Sequence, residues 1–309
     1  MMSLLSIVVP CFNEEETVHL FYDAVTPVLK TMNLDHEIIF VNDGSRDHTM
    51  RELTALYEAH PAEIRVVDFS RNFGKEAALL AGLRLAKGDY VTVMDSDLQD
   101  PPEYLPKMFA LMAKNDDDVV GTRRVSREGE SRIRTFFARA FYRIANRFTE
   151  VEIVDGARDF RLMKRPVVDA ILSLNEYNRF SKGMFVWVGF KCEYLEYDNV
   201  QRVAGTTSWS FWKLFRYALD GIIEYTDAPL VFAAWAGGIL TAAMVIELIV
   251  LLIMSLCGAA VTSATLILSI ILFMAAVILL AIGIAGEYLA KTYDEVRRRP
   301  NYIVRKIYN

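Results

Sequence analysis

Over residues 1–120, short apolar runs alternate with segments of helical spacing. The runs at 5–10, 37–41 (EIIFV), 65–69, 90–94 and 118–121 read as strands. Between them, 14–32, 47–59, 75–87 and 102–114 carry apolar residues at helical intervals. Strands that are apolar throughout, joined by helices, predict an α/β domain with a mostly parallel sheet covered on both faces. Ligands of such sheets bind beyond the carboxyl ends of the strands. Polar residues collect at those ends: Asn13 and Glu14, then Asp43, Asn72, and finally Asp95 and Asp97.

The pattern then changes. Between Arg123 and Arg147 there are eight arginines and no lysine. Arg139, Arg143 and Arg147 share one helix face beside Phe137, Phe141, Ile144 and Phe148. Arginine without lysine suits bidentate phosphate contacts, so a helix meeting anionic lipid or phosphate is expected, with a solvated surface helix as the alternative. The stretch WSFWKLFRYALDGIIEY (209–225) is also amphipathic, with Trp212, Phe215, Leu219 and Ile222 on one stripe. It fits an interfacial helix or a helix packed on the globular domain.

Farther on, 230–254 spans 25 residues with one charge, Glu247, and 265–286 gives 22 more with none. Each is long enough to cross a ~30 Å hydrocarbon core. No Lys or Arg lies between Tyr217 and Ala290, whereas 291–306 carries six. Basic outer flanks and an uncharged link predict a two-helix hairpin with both termini and the globular domain in the cytoplasm. An acid at mid-membrane is costly, so Glu247 is expected at a helix–helix or subunit contact, which suggests a homo-oligomer. The expected division is a catalytic domain over 1–207, an interfacial helix over 208–228, the hairpin over 229–287 and a basic tail over 288–309.

Composition supports this division. The chain has 309 residues and a net charge of −5, and its mean hydropathy of +0.22 reflects the apolar C-terminal third. Cys11, Cys192 and Cys257 match no zinc or disulfide spacing, which suits a reducing compartment. The N-terminus lacks the basic region of a signal peptide. The globular part is therefore expected to stay in the cytosol, with no nucleic-acid partner.

The first strand leads into PCFNEEE rather than a glycine-rich phosphate loop, and no Walker lysine loop occurs. Phosphates would then be neutralised by a cation and arginines. Asp95-Ser96-Asp97 places hard oxygen donors at the end of the fourth strand, with Gln99 two residues on, a set suited to Mg²⁺ or Mn²⁺. Asp100, ahead of Pro101-Pro102, reads as the cap of the next helix.

The segments SIVVPCFNEEE, FVNDGSRDHT, DFSRNFGKEAALLAG and MDSDLQDPP occur in order. Together they resemble a family-2 glycosyltransferase of the GT-A fold. GARDFRLM, NRFSKGMFVWVGF, RVAGTTSWSFWKL and KTYDEVRRRPNYIV narrow the resemblance to membrane-anchored polyprenyl-phosphate glycosyltransferases, the bactoprenol glucosyltransferase and dolichol-phosphate mannosyltransferase group. No Q-x-x-R-W string of the processive synthases is present.

The resemblance implies a role for each matching residue. Pro10, Phe12, Glu14, Asp43, Asp95 and Ser96 would frame the nucleotide sugar, and Asp95, Asp97 and Gln99 would hold the metal. Arg202 would pair with a phosphate of the leaving nucleotide, and Arg123 and Arg134 would grip the lipid phosphate. Asp159 would serve as base or as an acceptor-orienting carboxylate, with a salt bridge to Arg158 or Arg161 as the structural alternative. The implied reaction is metal-dependent, inverting transfer of a hexose, UDP-glucose being the favoured donor, to polyprenyl phosphate. GDP-mannose, a UDP-N-acetylhexosamine or an aminoarabinose-type donor is the nearest alternative. A non-catalytic sensor or scaffold is the alternative of another class.

Overall fold

Strand β1 (Leu4–Cys11) is apolar on both sides because helices cover both sides of it. Ile7 and Val9 pack with Phe21 and Val25 of α1 (Val18–Lys30). Val8, facing the other way, packs with Ala78 and Ala81 of α3 (Lys75–Leu85). A Cβ on Gly82 would stand 2.2 Å from Cγ1 of Val8, so the glycine sets how closely α3 lies on the sheet. The structure is a computed structural model that describes residues 3–124, 154, 156–197, 228–257 and 264–309.

The remaining elements are β2 (Asp35–Asn42), α2 (Thr49–Ala59), β3 (Ile64–Phe69), β4 (Tyr90–Val93), α4 (Tyr104–Asn115), β5 (Val119–Arg124), β6 (Ala157–Lys164), α5 (Arg165–Ser173), α6 (Ser181–Trp187), β7 (Cys192–Tyr197) and β8 (Val304–Tyr308). The expected strands all form, within a few residues of their predicted ends. Together with β6, β7 and β8, which the sequence pattern did not single out, they build an eight-stranded sheet in the order β7-β5-β6-β4-β1-β2-β3-β8. Pairing of β1 with β2 and β4, of β2 with β3, and of β5 with β7 is parallel. Only β6 and β8 run against the others. The mostly parallel α/β architecture is the one the sequence predicts, and the antiparallel strands β6 and β8 are additions to it.

The chain forms two compact units, Met1–Gly221 with Arg299–Asn309, and Ile222–Arg298. Residues 304–308, read from sequence as part of a basic tail, form β8 at the sheet edge. Arg305 reaches Asp68 of β3 at 3.3 Å, and the Tyr302 ring stacks on Phe69 with centroids 4.9 Å apart.

The second unit holds α7 (Ala228–Leu256) and α8 (Ala264–Arg297), which lie against each other. Both expose large apolar side chains, among them Phe232, Trp235, Ile239 and Leu279. Two long helices therefore stand where spans were expected at 230–254 and 265–286. Among the described residues one segment, Phe273–Arg297, is long and apolar enough to cross a membrane, with mean hydropathy 2.1. Pro229–Leu240 is a shorter apolar stretch.

Candidate active site at the carboxyl edge of the sheet

Loops at the carboxyl ends of β1, β2 and β4 carry the predicted polar residues to one edge. Because β6 is antiparallel to β4, with Val93 opposite Arg161, the start of β6 lies at the same edge. Asp159 is thereby brought to the aspartates that follow β4.

The loop after β1 is fixed by backbone groups. Asn13 takes a left-handed conformation (φ 56°), donates its backbone N–H to the Ser45 hydroxyl at 3.0 Å and accepts from Arg46 N–H at 2.9 Å. Glu14 accepts the Thr17 hydroxyl at 2.7 Å, and its N–H donates to Thr49 at 2.8 Å. Pro10 and Phe12 flank buried Cys11 and are themselves partly exposed. Burial pushes the Cys11 thiol well up, so it stays protonated.

Asp43 follows β2 and is only 3% exposed. Its two oxygens accept the N–H groups of Phe73 (2.7 Å) and Gly74 (2.9 Å), tying β2 to the entry of α3. Burial raises its pKa to about 6 against the pull of those N–H groups and of Arg71. Next to it Gly44 has φ 63°, and a Cβ there would lie 2.3 Å from the Arg71 carbonyl carbon. Only glycine combines that backbone with that approach.

After β4 the chain turns through Leu98, whose φ is 55°. Ser96 and Asp97 are buried, and Oδ1 of Asp97 accepts the Gln99 N–H at 3.1 Å. Asp95 is partly exposed and pairs with the Lys75 ammonium at 2.7 Å. The same ammonium lies 2.7 Å from Oδ2 of Asp159, whose Oδ1 is buried with no hydrogen-bond partner among the described residues. Burial works against the Lys75 charge, but Asp159 and Asp95 outweigh it and raise its pKa well above the ordinary range. Burial likewise opposes the Asp159 charge, and Lys75 with Lys182 holds that carboxyl well below the usual range.

Lys75 was missed from sequence, although a signal was present. It is the first residue of α3, where the helix dipole disfavours a cation unless acids face it. The partner of Asp159 is this lysine rather than Arg158 or Arg161. Arg158 instead donates to Asp100 at 3.1 Å and to the Gln99 side-chain oxygen at 3.3 Å. Arg161 lies over the Phe185 ring.

The capping role expected of Asp100 is corrected. Helix α4 starts at Tyr104 with no side-chain cap, and Asp100 is buried against Arg158 and the Tyr197 hydroxyl. The two prolines delay the helix, leaving Asp100 too early to reach its N–H groups.

Arg123, at the end of β5, lies 3.6 Å from Glu196. Arg134, Arg202, the arginine-rich stretch after Arg124 and the interfacial helix lie outside the described residues.

Among the described residues no three acids, histidines or cysteines cluster as a metal cage. A site of one or two carboxylates completed by substrate phosphates needs no such cage. Asp95 already faces an ammonium at 2.7 Å, so its carboxylate is placed for a cation, and the donor set fits a hard divalent ion.

Residues 6–172 match the glycosyl transferase family 2 model. An uncharacterized glycosyltransferase of Synechocystis is 40% identical over 97% of this chain and 94% of its own. The prophage bactoprenol glucosyl transferase homolog of Escherichia coli K12 is 37% identical over 98% and 99%. The bactoprenol glucosyl transferase of Shigella phage SfII is 38% identical over 98% and 97%. Among solved structures, glucosyl-3-phosphoglycerate synthase from Mycobacterium tuberculosis with Mn²⁺, UDP-glucose and phosphoglyceric acid is 20% identical, with TM-score 0.46 over 72% of this chain and 78% of that one. With the family model covering more than half of the chain and these relatives matching nearly all of it, the chain belongs to glycosyltransferase family 2.

Proposed function

We propose that this chain transfers a hexose, with glucose from UDP-glucose as the first choice, to the phosphate of a polyprenyl lipid at a membrane surface. The observation that carries the reading is the end-to-end match to relatives named bactoprenol glucosyl transferase, joined to an acidic site at the carboxyl edge of the sheet.

Asp95, Asp97 and Gln99 would hold Mg²⁺ or Mn²⁺, which supplies charge neutralisation of the donor diphosphate. Glu14 and Asp43, with Pro10, Phe12 and Ser96, would frame the nucleotide. Arg202 would meet the leaving diphosphate, and Arg123 and Arg134 the acceptor phosphate. A phosphate monoester is largely dianionic at pH 7, its second pKa being near ~6. It attacks the anomeric carbon as the bond to the nucleotide breaks, with inversion, and no strong base is required. Asp159, held in place by Lys75, would orient the reacting groups rather than remove a proton.

The order of the compact units supports a hairpin in the membrane. The helical unit lies in sequence between two parts of the sheet unit. One sheet unit cannot straddle a bilayer, so an embedded helical unit must cross an even number of times. The exposed apolar side chains of α7 and α8 favour lipid around them.

The test offers radiolabelled nucleotide sugars with undecaprenyl phosphate and Mg²⁺ or Mn²⁺ to purified protein. Lipid-extractable label from one donor, lost with EDTA and in Asp97→Ala, is the expected result. Protein that binds nucleotide yet labels no lipid from any donor favours a sensor or scaffold.

A further inference from the structure

We propose that Lys75 is a built-in counter-ion that occupies the place of the metal until the nucleotide arrives, so that metal and nucleotide bind together rather than one after the other. The inference rests on the proposed nucleotide-sugar chemistry of the same site and adds how that site is loaded.

Three observations carry it. The Lys75 ammonium sits 2.7 Å from Asp95 and 2.7 Å from Asp159, bridging a carboxylate of the loop after β4 and one of β6 that would otherwise repel. It does so from the first position of a helix, where the backbone dipole works against a cation, so the acids rather than the helix hold it there. The helix entry is itself fixed: Asp43 takes the N–H groups of Phe73 and Gly74, and Glu76 takes the N–H and hydroxyl of Ser181. Lys75 therefore extends from an anchored backbone, and only its side chain need move.

A divalent ion on Asp95 cannot share that carboxylate with an ammonium at contact distance without repulsion. Metal alone must displace Lys75 against the attraction of Asp95. When the ion brings a diphosphate, the new negative charge lies within a few ångströms of the displaced ammonium and compensates it. Asp159 remains as the second anchor of the lysine. The consequence is strong coupling between metal and nucleotide, reciprocal by linkage.

The test measures Mn²⁺ binding by electron paramagnetic resonance on the full-length protein in detergent, with and without UDP. In the wild type, UDP is expected to tighten Mn²⁺ strongly. Lys75→Met is expected to bind Mn²⁺ alone about tenfold more tightly than wild type, in keeping with the effect of one charge at contact distance on a carboxylate. UDP should then add correspondingly less, and Lys75→Arg, which keeps the charge, should stay near wild type. Simple loss of structure would weaken Mn²⁺ binding instead. Lys75→Gln carries the same expectation should the Met variant fail to fold.

Unchanged or weaker binding of Mn²⁺ alone in neutral variants that unfold at the wild-type temperature overturns the inference. So does a wild type whose Mn²⁺ affinity ignores UDP. Lipid labelling with unaltered coupling removes this inference and leaves the proposed reaction standing. Intact coupling without lipid labelling does the reverse.

Discussion

Arg158 reaches Asp100 across the sheet edge, Nε to Oδ1 at 3.1 Å, where the Asp100 side chain is 1% exposed. Burial raises the pKa of Asp100 and Arg158 opposes that rise. The pair also steadies Gln99, whose side-chain oxygen takes a second Arg158 N–H. Arg158→Met leaves the acid buried without its cation, and a loss of about 3 kcal/mol is expected. Thermal unfolding of Arg158→Met and of Arg158→Met/Asp100→Asn checks it, the double variant losing less than the single. Equal losses would mean that the pair is not coupled.

Asp43 should make stability depend on pH in an unusual direction. Its carboxyl titrates at about 6 in the folded chain and near ~3.9 when unfolded. As pH rises from ~4 to ~6 the unfolded state ionises first, so stability falls through that window. Below it the effect is absent, and above it the loss is constant at about 3 kcal/mol. The stability of Asp43→Asn relative to wild type should therefore rise by up to that amount between pH 4 and pH 7. A flat difference across the range would rule out the buried carboxyl as the cause.

Asp159 is ionised far below neutrality, so its titration cannot shape the rate near pH 7. The rate of sugar transfer should instead rise through ~6 as the acceptor phosphate loses its second proton. Asp159→Asn should lower kcat by about 10²-fold, the scale of a misplaced reactant, while keeping that same rise. A variant that loses the pH dependence would point to a base at Asp159.

Tyr302 lies against Phe69 beside β8, and its hydroxyl is 3.3 Å from Arg84. Tyr302→Ala should cost about 2 kcal/mol through the lost ring packing. Removal of 300–309 should do more, exposing the β3 edge to self-association. Chemical unfolding and light scattering measure the two effects.

The parallel core was legible because each strand is a continuous apolar run bounded by polar residues, a local signal. Asp43, Asp95 and Asp97 were legible for a related reason: in such a sheet, residues after the strands share an edge wherever the chain goes next. What escaped was pairing over distance. Lys75 meets Asp159 across 84 positions, and Arg158 meets Asp100 across 58. No spacing rule links them. Asp100 was misread because Asp before Pro-Pro looks like a cap until a distant arginine claims it. The tail was read from its charge, whereas Tyr302, Val304 and Ile307 serve a strand that pairs with β3.

The position of β8 also governs when the sheet can be finished. β3 ends at Phe69 and its neighbour begins at Val304, so the ribosome must make both long helices before the last strand exists. Synthesis proceeds at roughly 5–20 residues per second, which leaves the β3 edge bare for at least ten seconds or so. Once β7 has emerged, the nascent chain carries a sheet that lacks β8 alone until both helices have followed.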